Sequence, residues 1–306
     1  MKLAQISFEQ GEANLDWLGL TQALARGHNL PKAEVGDNFL YRGKDTLLNR
    51  CAWIDGLGMA VKTANIFPAN PEAGKPMING GVTLYSDTDG RAEALVDFHL
   101  VTKWKTAGDS LLAATRLARP DSKKILIIGA GTVGNALFQA YGAAFPDAQF
   151  TVWNRTFAKA QAMAEALGIQ AAQNLEQAVG DADIITSATM STEPVLKGAW
   201  LQPGQHVDLI GAYRPDMREA DDLALQRSRI FVDSFDTTLG HIGEVQIPLD
   251  HGVITRADIV ADYYDLDRFQ RQSDDEITLF KNGGGAHLDL MTSRHILDQW
   301  RAGQSD

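Results

Sequence analysis

The chain has 306 residues, 44% of them hydrophobic, which is enough for two packed cores rather than one. Acidic residues outnumber basic ones 39 to 28, and the resulting formal charge of −11 argues against a nucleic-acid or anionic-membrane surface, which would call for a clustered basic face. Cys51 is the one cysteine, so no internal disulfide forms; it reads as a small buried hydrophobe in a reducing, cytoplasmic setting.

The N-terminal "MKLAQISFEQGEANLDW" breaks every apolar run with polar residues and so reads as no signal peptide. No stretch reaches the roughly 18 apolar residues of a membrane span. Residues 14–26 suit a helix capped by Gly27. "TLLNRCAWIDGLGMAVKTANIF" predicts two strands turning at Asp55-Gly56, and "GVTLYSDTDGRAEALVDF" two more turning at Asp89-Gly90. "DTDG" is no calcium loop, because Phe98 stands where a twelve-residue loop needs its bidentate Glu. Residues 99–119 carry Leu100, Trp104, Leu111, Leu112 and Leu117 at helical spacing.

From residue 123 the pattern changes. "KKILIIG" (123–129) is a β-branched run of the kind buried on both faces of a parallel sheet, followed by an Ala-rich helix over 132–145. "AQFTVWN", a helix ended by Gly168, "DADIITSAT", "HVDLIGA" and "RIFVDS" (229–234) continue the alternation, with the last closing the series. Loops and short helices follow, then an amphipathic helix over 285–300. The fold class is α/β: a doubly wound parallel Rossmann domain at 119–285, and an α+β domain at 1–118 completed by 286–306.

Gly129, Gly131 and Gly134 form G-x-G-x-x-G between a strand and a helix, which makes this stretch, with Thr132 and Val133, a cradle for a dinucleotide pyrophosphate. At the end of the second strand, Asn154, Arg155 and Thr156 stand where an acidic residue would hold the adenosine ribose. Arg155 pairs with a phosphate and Thr156 donates to one, so NADP(H) is favoured, with NAD(H) as the alternative. Ser187, Ala188 and Thr189, at the end of "DADIITSAT", should contact the ribose and nicotinamide. The seven histidines (His28, His99, His206, His241, His251, His287, His295) show no metal-binding spacing, and His241-x-x-Glu244 reads as a loop hydrogen bond.

"GLGMAVKTANIFPANP", "VTKWKTAG", the glycine loop, "VWNRT", "GQHVDLIGAYRPDMREAD" and "LFKNGGGAHLDL" occur in that order. Together they resemble the ornithine cyclodeaminase/mu-crystallin family across nearly the whole chain. The resemblance implies a homodimer, a substrate-binding first domain, NAD(P)(H), and a small α-amino or α-imino acid substrate. It also implies site residues. Arg42 in "FLYRG" matches the arginine that clamps the substrate carboxylate, and Lys62 matches the lysine at the reacting centre. Lys105 falls where most members have Arg, so the charge is kept and the bidentate fork lost. Asn79 and Gly81 match a strand lining the same pocket; Asn282 and Asp289 match positions that close over the nicotinamide side.

Tyr213 replaces the Asp that cyclodeaminases and alanine dehydrogenases of this family carry two residues after Gly211. A phenol, with an ordinary pKa near 10, is a poor substitute for a carboxylate base. That departure, and "RPDMREADD", resemble the ketimine-reductase branch. The expected activity is NAD(P)H-dependent reduction of small cyclic ketimine acids, Δ1-pyrroline-2-carboxylate or its six-membered homologue. The alternatives are ornithine cyclodeaminase, an alanine or iminosuccinate-type reductase, and a non-catalytic NADPH-binding protein.

Overall fold

The computed structural model describes residues 3–304, and among them no helix is long and apolar enough to cross a membrane. Two compact units emerge: Met1–Lys105 with Gly285–Asp306, and Thr106–Gly284.

The first unit is built on a six-stranded sheet. Its elements are β1 (Ala4–Ile6), α1 (Phe8–Glu12), α2 (Trp17–His28), β2 (Glu34–Arg42), β3 (Asp45–Ile54), β4 (Gly58–Ile66), β5 (Ile78–Tyr85) and β6 (Ala92–Asp97). The spatial order is β1-β6-β5-β4-β3-β2, antiparallel except for the parallel β1–β6 pair. Both predicted hairpins are present, and their alternating pattern buries Ala52, Ile54, Ala60, Lys62, Val82 and Leu84 on one face. Cys51 points the other way and is exposed, contrary to the buried role expected: alternation leaves it one position out of phase with Ala52.

β2 escaped the sequence reading because Gly36, Asp37 and Asn38 interrupt any apolar alternation. Along its length it is exposed, and it forms one edge of the sheet. The first long helix also differs from expectation. Gly27 lies inside α2 rather than capping it, and the chain leaves the helix at Asn29. Its selection is steric, since an added Cβ would sit 2.6 Å from Met291 Sδ. α3 (Phe98–Leu117) follows β6, and the boundary between the units falls within it, after Lys105.

The second unit carries β7 (Lys124–Ile128), α4 (Thr132–Ala144), β8 (Gln149–Trp153), α5 (Phe157–Leu167), β9 (Gln170–Ala171), α6 (Leu175–Asp181), β10 (Ile184–Ser187) and β11 (His206–Leu209). α7 (Asp222–Gln226), β12 (Arg229–Val232), α8 (Phe235–Thr238), α9 (Gly243–Asp250), β13 (Ile259–Ala261) and β14 (Thr278–Lys281) complete it. All eight strands are parallel, in the order β13-β12-β14-β11-β10-β7-β8-β9, with the switch of direction between β7 and β10. The series does not close at β12 as expected. β13 and β14 lie in the stretch of loops and short helices after β12, where no strand–helix alternation marks them, and β14 inserts between β11 and β12. The core is aliphatic, with Leu126, Ile128, Ile185, Val207, Leu209, Ile230 and Leu279 buried together. The last helix, α10 (Ala286–Gly303), returns to the first unit and packs on β3, β4 and α2.

Candidate active site

In the second unit, β7 delivers the glycine loop to the switch point. Gly129 has φ +116°, and an added Cβ would lie 2.7 Å from the Ala188 carbonyl oxygen, so the loop after β10 runs directly against it. At Gly134 a Cβ would lie 2.3 Å from the Gly129 oxygen, which is how closely α4 packs on the turn. Gly131 is different: a Cβ there meets nothing within 4 Å. It is also the N-cap of the 13-residue α4 and supplies no side-chain cap, so the first-turn N–H groups beside exposed Thr132 and half-buried Val133 remain available to an anion. These residues fit a dinucleotide pyrophosphate.

Asn154 is committed to the loop. Its Oδ1 accepts from the Ala130 N–H at 3.3 Å, and its Nδ2 donates to the Thr156 oxygen at 3.0 Å. Arg155 and Thr156 are exposed beside it, and Thr156 caps α5 without using its hydroxyl. Ser187 and Thr189 are equally committed, to a residue that sequence reasoning missed. Buried Glu219 accepts from the Ser187 hydroxyl at 2.7 Å, from the Thr189 N–H and hydroxyl at 2.7 and 2.8 Å, and from the Gly211 N–H. It thereby ties together the loops after β10 and β11. Glu244 in turn accepts the Glu219 and Ala220 N–H groups, and burial pushes its carboxyl up to about 7. The one sequence signal for Glu219 is its place in "RPDMREADD", the stretch that resembles the ketimine-reductase branch.

Tyr213 is 57% exposed, with the Arg214 guanidinium 5.5 Å from its ring centre. Asn282 is buried, and its amide donates to the Thr106 carbonyl and the Ser110 hydroxyl, both at 3.0 Å, so it fastens α3 within this unit.

In the first unit, Lys62 lies mid-strand on the buried face of β4. Its ammonium donates to Asp289 Oδ1 at 2.8 Å and sits 4.8 Å from the Phe98 ring centre. Burial lowers the Lys62 pKa to about 8; Asp289 opposes that fall, whereas Lys105 and Arg50 add to it. Burial by itself would raise the Asp289 carboxyl, but Lys62, Lys105 and Arg50 outweigh it and hold it below the usual range. Asp289 Oδ2 is buried and takes no hydrogen bond among the described residues. The resemblance placed Asp289 on the nicotinamide side; within this unit it is the counterion of Lys62. Lys105, buried on α3, is close enough to act on both.

Two expected partners do not join this cluster. Arg42 ends β2 at the hairpin, its side chain 81% exposed and paired with Asp45 at 2.8 Å. Lys62 is level with Arg50, five residues further along β3 than Asp45, a separation of roughly 17 Å at strand spacing. The physical reason is register: "YRGKD" is the hairpin turn itself, so its arginine projects at the tip. Asn79 is exposed on β5, donating to the Pro76 carbonyl, with half-buried Gly81 two residues on. Arg50 and Asp37, by contrast, were missed, because nothing in the sequence shows that β2, β3 and β4 bring Asp37, Arg50 and Lys62 into one row.

Residues 54–304 match the profile of the ornithine cyclodeaminase/mu-crystallin family. The chain is 49% identical over 300 residues, 95% of both proteins, to Δ1-pyrroline-2-carboxylate reductase of Paracoccus denitrificans (strain Pd 1222). It is 28% identical to mouse ketimine reductase mu-crystallin, covering 80% of this chain and 77% of that one. Among solved structures, Thermococcus litoralis Δ1-pyrroline-2-carboxylate reductase in complex with NADH and L-proline superposes with a TM-score of 0.89 at 26% identity, over 99% of this chain and 98% of that one. The glycine loop, the Lys62 region and the C-terminal helix all lie inside the matched span, and the chain belongs to the ornithine cyclodeaminase/mu-crystallin family.

Proposed function

We propose that the protein is an NADPH-dependent reductase of small cyclic ketimine acids, with Δ1-pyrroline-2-carboxylate as substrate and L-proline as product. The observation that carries this reading is the 49% identity, over 95% of both chains, to a protein bearing the name of that reaction. The Lys62 cluster supplies chemistry to match.

When bound, the reduced nicotinamide supplies the hydride that the imine carbon receives. The chain's own residues do the rest. Lys105 and the neighbouring positive charge hold the substrate carboxylate, which fixes the ring and removes much of the entropic cost of reaction. As the π pair moves onto nitrogen, that atom takes a proton from Lys62 Nζ, which solvent then restores. A pKa near 8 suits a proton donor working close to neutral pH, and Asp289 fixes where the ammonium points. Gly129, Gly131 and Gly134 hold the pyrophosphate; Arg155 and Thr156 hold the adenosine 2′-phosphate.

The test is NADPH oxidation with a panel of cyclic and acyclic α-imino acids. Consumption with the five- or six-membered cyclic ketimine acid and release of the L-amino acid is the expected outcome. Ammonia and proline appearing from L-ornithine with NAD+, faster than ketimine reduction, would mean a cyclodeaminase instead.

The protein is further proposed to be a cytoplasmic homodimer. Edge strand β2 exposes Val35, Phe39 and Tyr41 on one face and Leu40 on the other (46–72% exposed), apolar surface beside an unpaired strand edge that a lone chain would leave open to aggregation. Light scattering should give twice the 33.3 kDa chain mass, and Leu40→Asp should shift the protein toward monomer. A monomeric parent protein excludes the dimer.

A further inference from the structure

We infer that Glu219 is the positioning residue for the nicotinamide half of the cofactor, and that the Ser187 and Thr189 side chains serve the cofactor through Glu219 rather than by touching it. The inference rests on the dinucleotide reading of the glycine loop and deepens it.

The place of each half follows from the strand order β11-β10-β7-β8. The glycine loop leaves β7, and Arg155 and Thr156, read as the 2′-phosphate site, follow β8 on one side of it. A dinucleotide straddles the switch point, so its other half lies over the loops that leave β10 and β11. Neighbouring strands are about 4.8 Å apart, which puts β11 roughly 10 Å from β7.

Those two loops fit each other with almost no slack. A Cβ on Gly211 would lie 1.8 Å from the Thr189 carbonyl oxygen, and one on Gly129 would lie 2.7 Å from that of Ala188. The Ala188–Thr189 stretch is thus wedged between the phosphate cradle and the β11 loop. Sterics set how close the loops come, and Glu219 holds them there. One of its carboxylate oxygens accepts from the Ser187 hydroxyl, the Thr189 N–H and the Thr189 hydroxyl; the other accepts from the Gly211 N–H. All four partners donate, so the carboxylate matches them only when ionised. Burial raises the Glu219 carboxyl, while Lys281 and the Ser187 and Thr189 donors oppose that rise. Behind it, Glu244 accepts the Glu219 N–H at 2.7 Å and the Ala220 N–H at 3.0 Å, which fixes the backbone carrying the brace. The hydrogen of each loop hydroxyl is therefore already given to Glu219. Toward solvent the loop shows half-buried Ala188 and Met190, which is 68% exposed. Such a loop offers a cofactor backbone and shape, and its placement depends on a side chain that is itself fully buried.

The experiment measures dissociation constants for NADPH and for its adenosine half, 2′,5′-ADP, in the parent, Glu219→Gln and Asp183→Asn proteins. Glu219→Gln keeps the size of the side chain, but in either orientation its NH2 faces a backbone N–H, so one loop amide loses its acceptor. With that amide unpaired, the loop holds its productive place for only a fraction of the time, and NADPH should bind about 10–100-fold more weakly. Affinity for 2′,5′-ADP should hold. KM for NADPH should rise by the same factor as the dissociation constant, with kcat at saturating NADPH changed far less, because bound cofactor restores the loop. Ser187→Ala should weaken NADPH in the parent and add nothing further in Glu219→Gln. Asp183→Asn is the matched control. Asp183 stands at the opposite end of β10 and accepts the Lys123 and Lys124 N–H groups at 2.8 and 3.0 Å, so its loss should cost stability and leave both affinities alone. Parental NADPH affinity in Glu219→Gln overturns the inference, as do an equal loss of both ligands, full additivity with Ser187→Ala, or the same split in Asp183→Asn. Should Glu219→Gln fail to fold, Glu219→Asp, which keeps the charge and shortens the reach by one methylene, decides by the same ratio. A parent that binds NADH and 5′-AMP in place of NADPH and 2′,5′-ADP overturns the NADP(H) reading alone, and that pair then gives the same comparison. One that binds no nucleotide defeats the dinucleotide reading itself.

Discussion

Lys62→Met should cost on the order of 10³-fold in ketimine reduction, within the 10²–10⁴ range of a positioned acid, while NADPH binds as tightly as before. The substitution keeps the length and apolar stem of the side chain and removes only the ammonium, so lost packing does not explain lost rate. It leaves Asp289 buried without its 2.8 Å partner, and some thermal destabilisation should accompany it. A second readout separates chemistry from folding. With a Lys62 pKa of about 8, the acid form is complete below that pH and vanishes above it. The rate of hydride transfer should therefore be level at neutral pH and fall as pH rises through about 8. Asp289 raises that pKa, so Asp289→Asn should move the falling limb toward lower pH. The stability contribution has its own sign. Because the folded state holds Lys62 below its ordinary value of 10.5, it binds fewer protons than the unfolded chain between about 8 and 10.5, and this group favours folding more as pH rises through that window. A Lys62→Met protein that retains parental turnover removes Lys62 from the reaction, and a limb unmoved in Asp289→Asn removes Asp289 from control of it.

The second large effect concerns the nucleotide. Arg155→Asp should reverse the cofactor preference, changing the ratio of kcat/KM for NADPH to that for NADH by roughly 10²-fold, the worth of a charge-assisted pair on a phosphate replaced by repulsion. The structural grounds are local. Asn154 is spent bracing the glycine loop, while Arg155 is exposed next to Thr156, whose hydroxyl takes no part in capping α5. Most of the change should appear in KM for NADPH, since the 2′-phosphate is remote from the reacting carbon. An unaltered ratio would leave the phosphate contact without support and favour NAD(H).

Much of the second unit was legible before its coordinates. Glycines with fixed mechanical duties sit between a β-branched strand and an Ala-rich helix, and such local patterns survive in one dimension. Lys62 and Lys105 were legible through the family's ordered motifs, and the structure puts both in one buried cluster with Asp289. What failed did so for identifiable reasons. β13 and β14 sit among loops and short helices with no strand–helix alternation to mark them, Gly27 is chosen by the approach of Met291 rather than by a cap, and "YRGKD" reads as a motif although it is a turn.

The amino-acid order by itself determined the parallel sheet, the phosphate cradle and the missing ribose acid, because each depends on residues within one strand–turn–helix. Only the tertiary structure decided which charges meet. Asp37, Arg50, Lys62 and Asp289 come together through strand register and a helix arriving from the far end of the chain, up to 252 positions away. Glu219 likewise acquires its hold on two loops only when β10 and β11 lie side by side. Electrostatic interaction depends on separation in space, and separation along the chain says little about it.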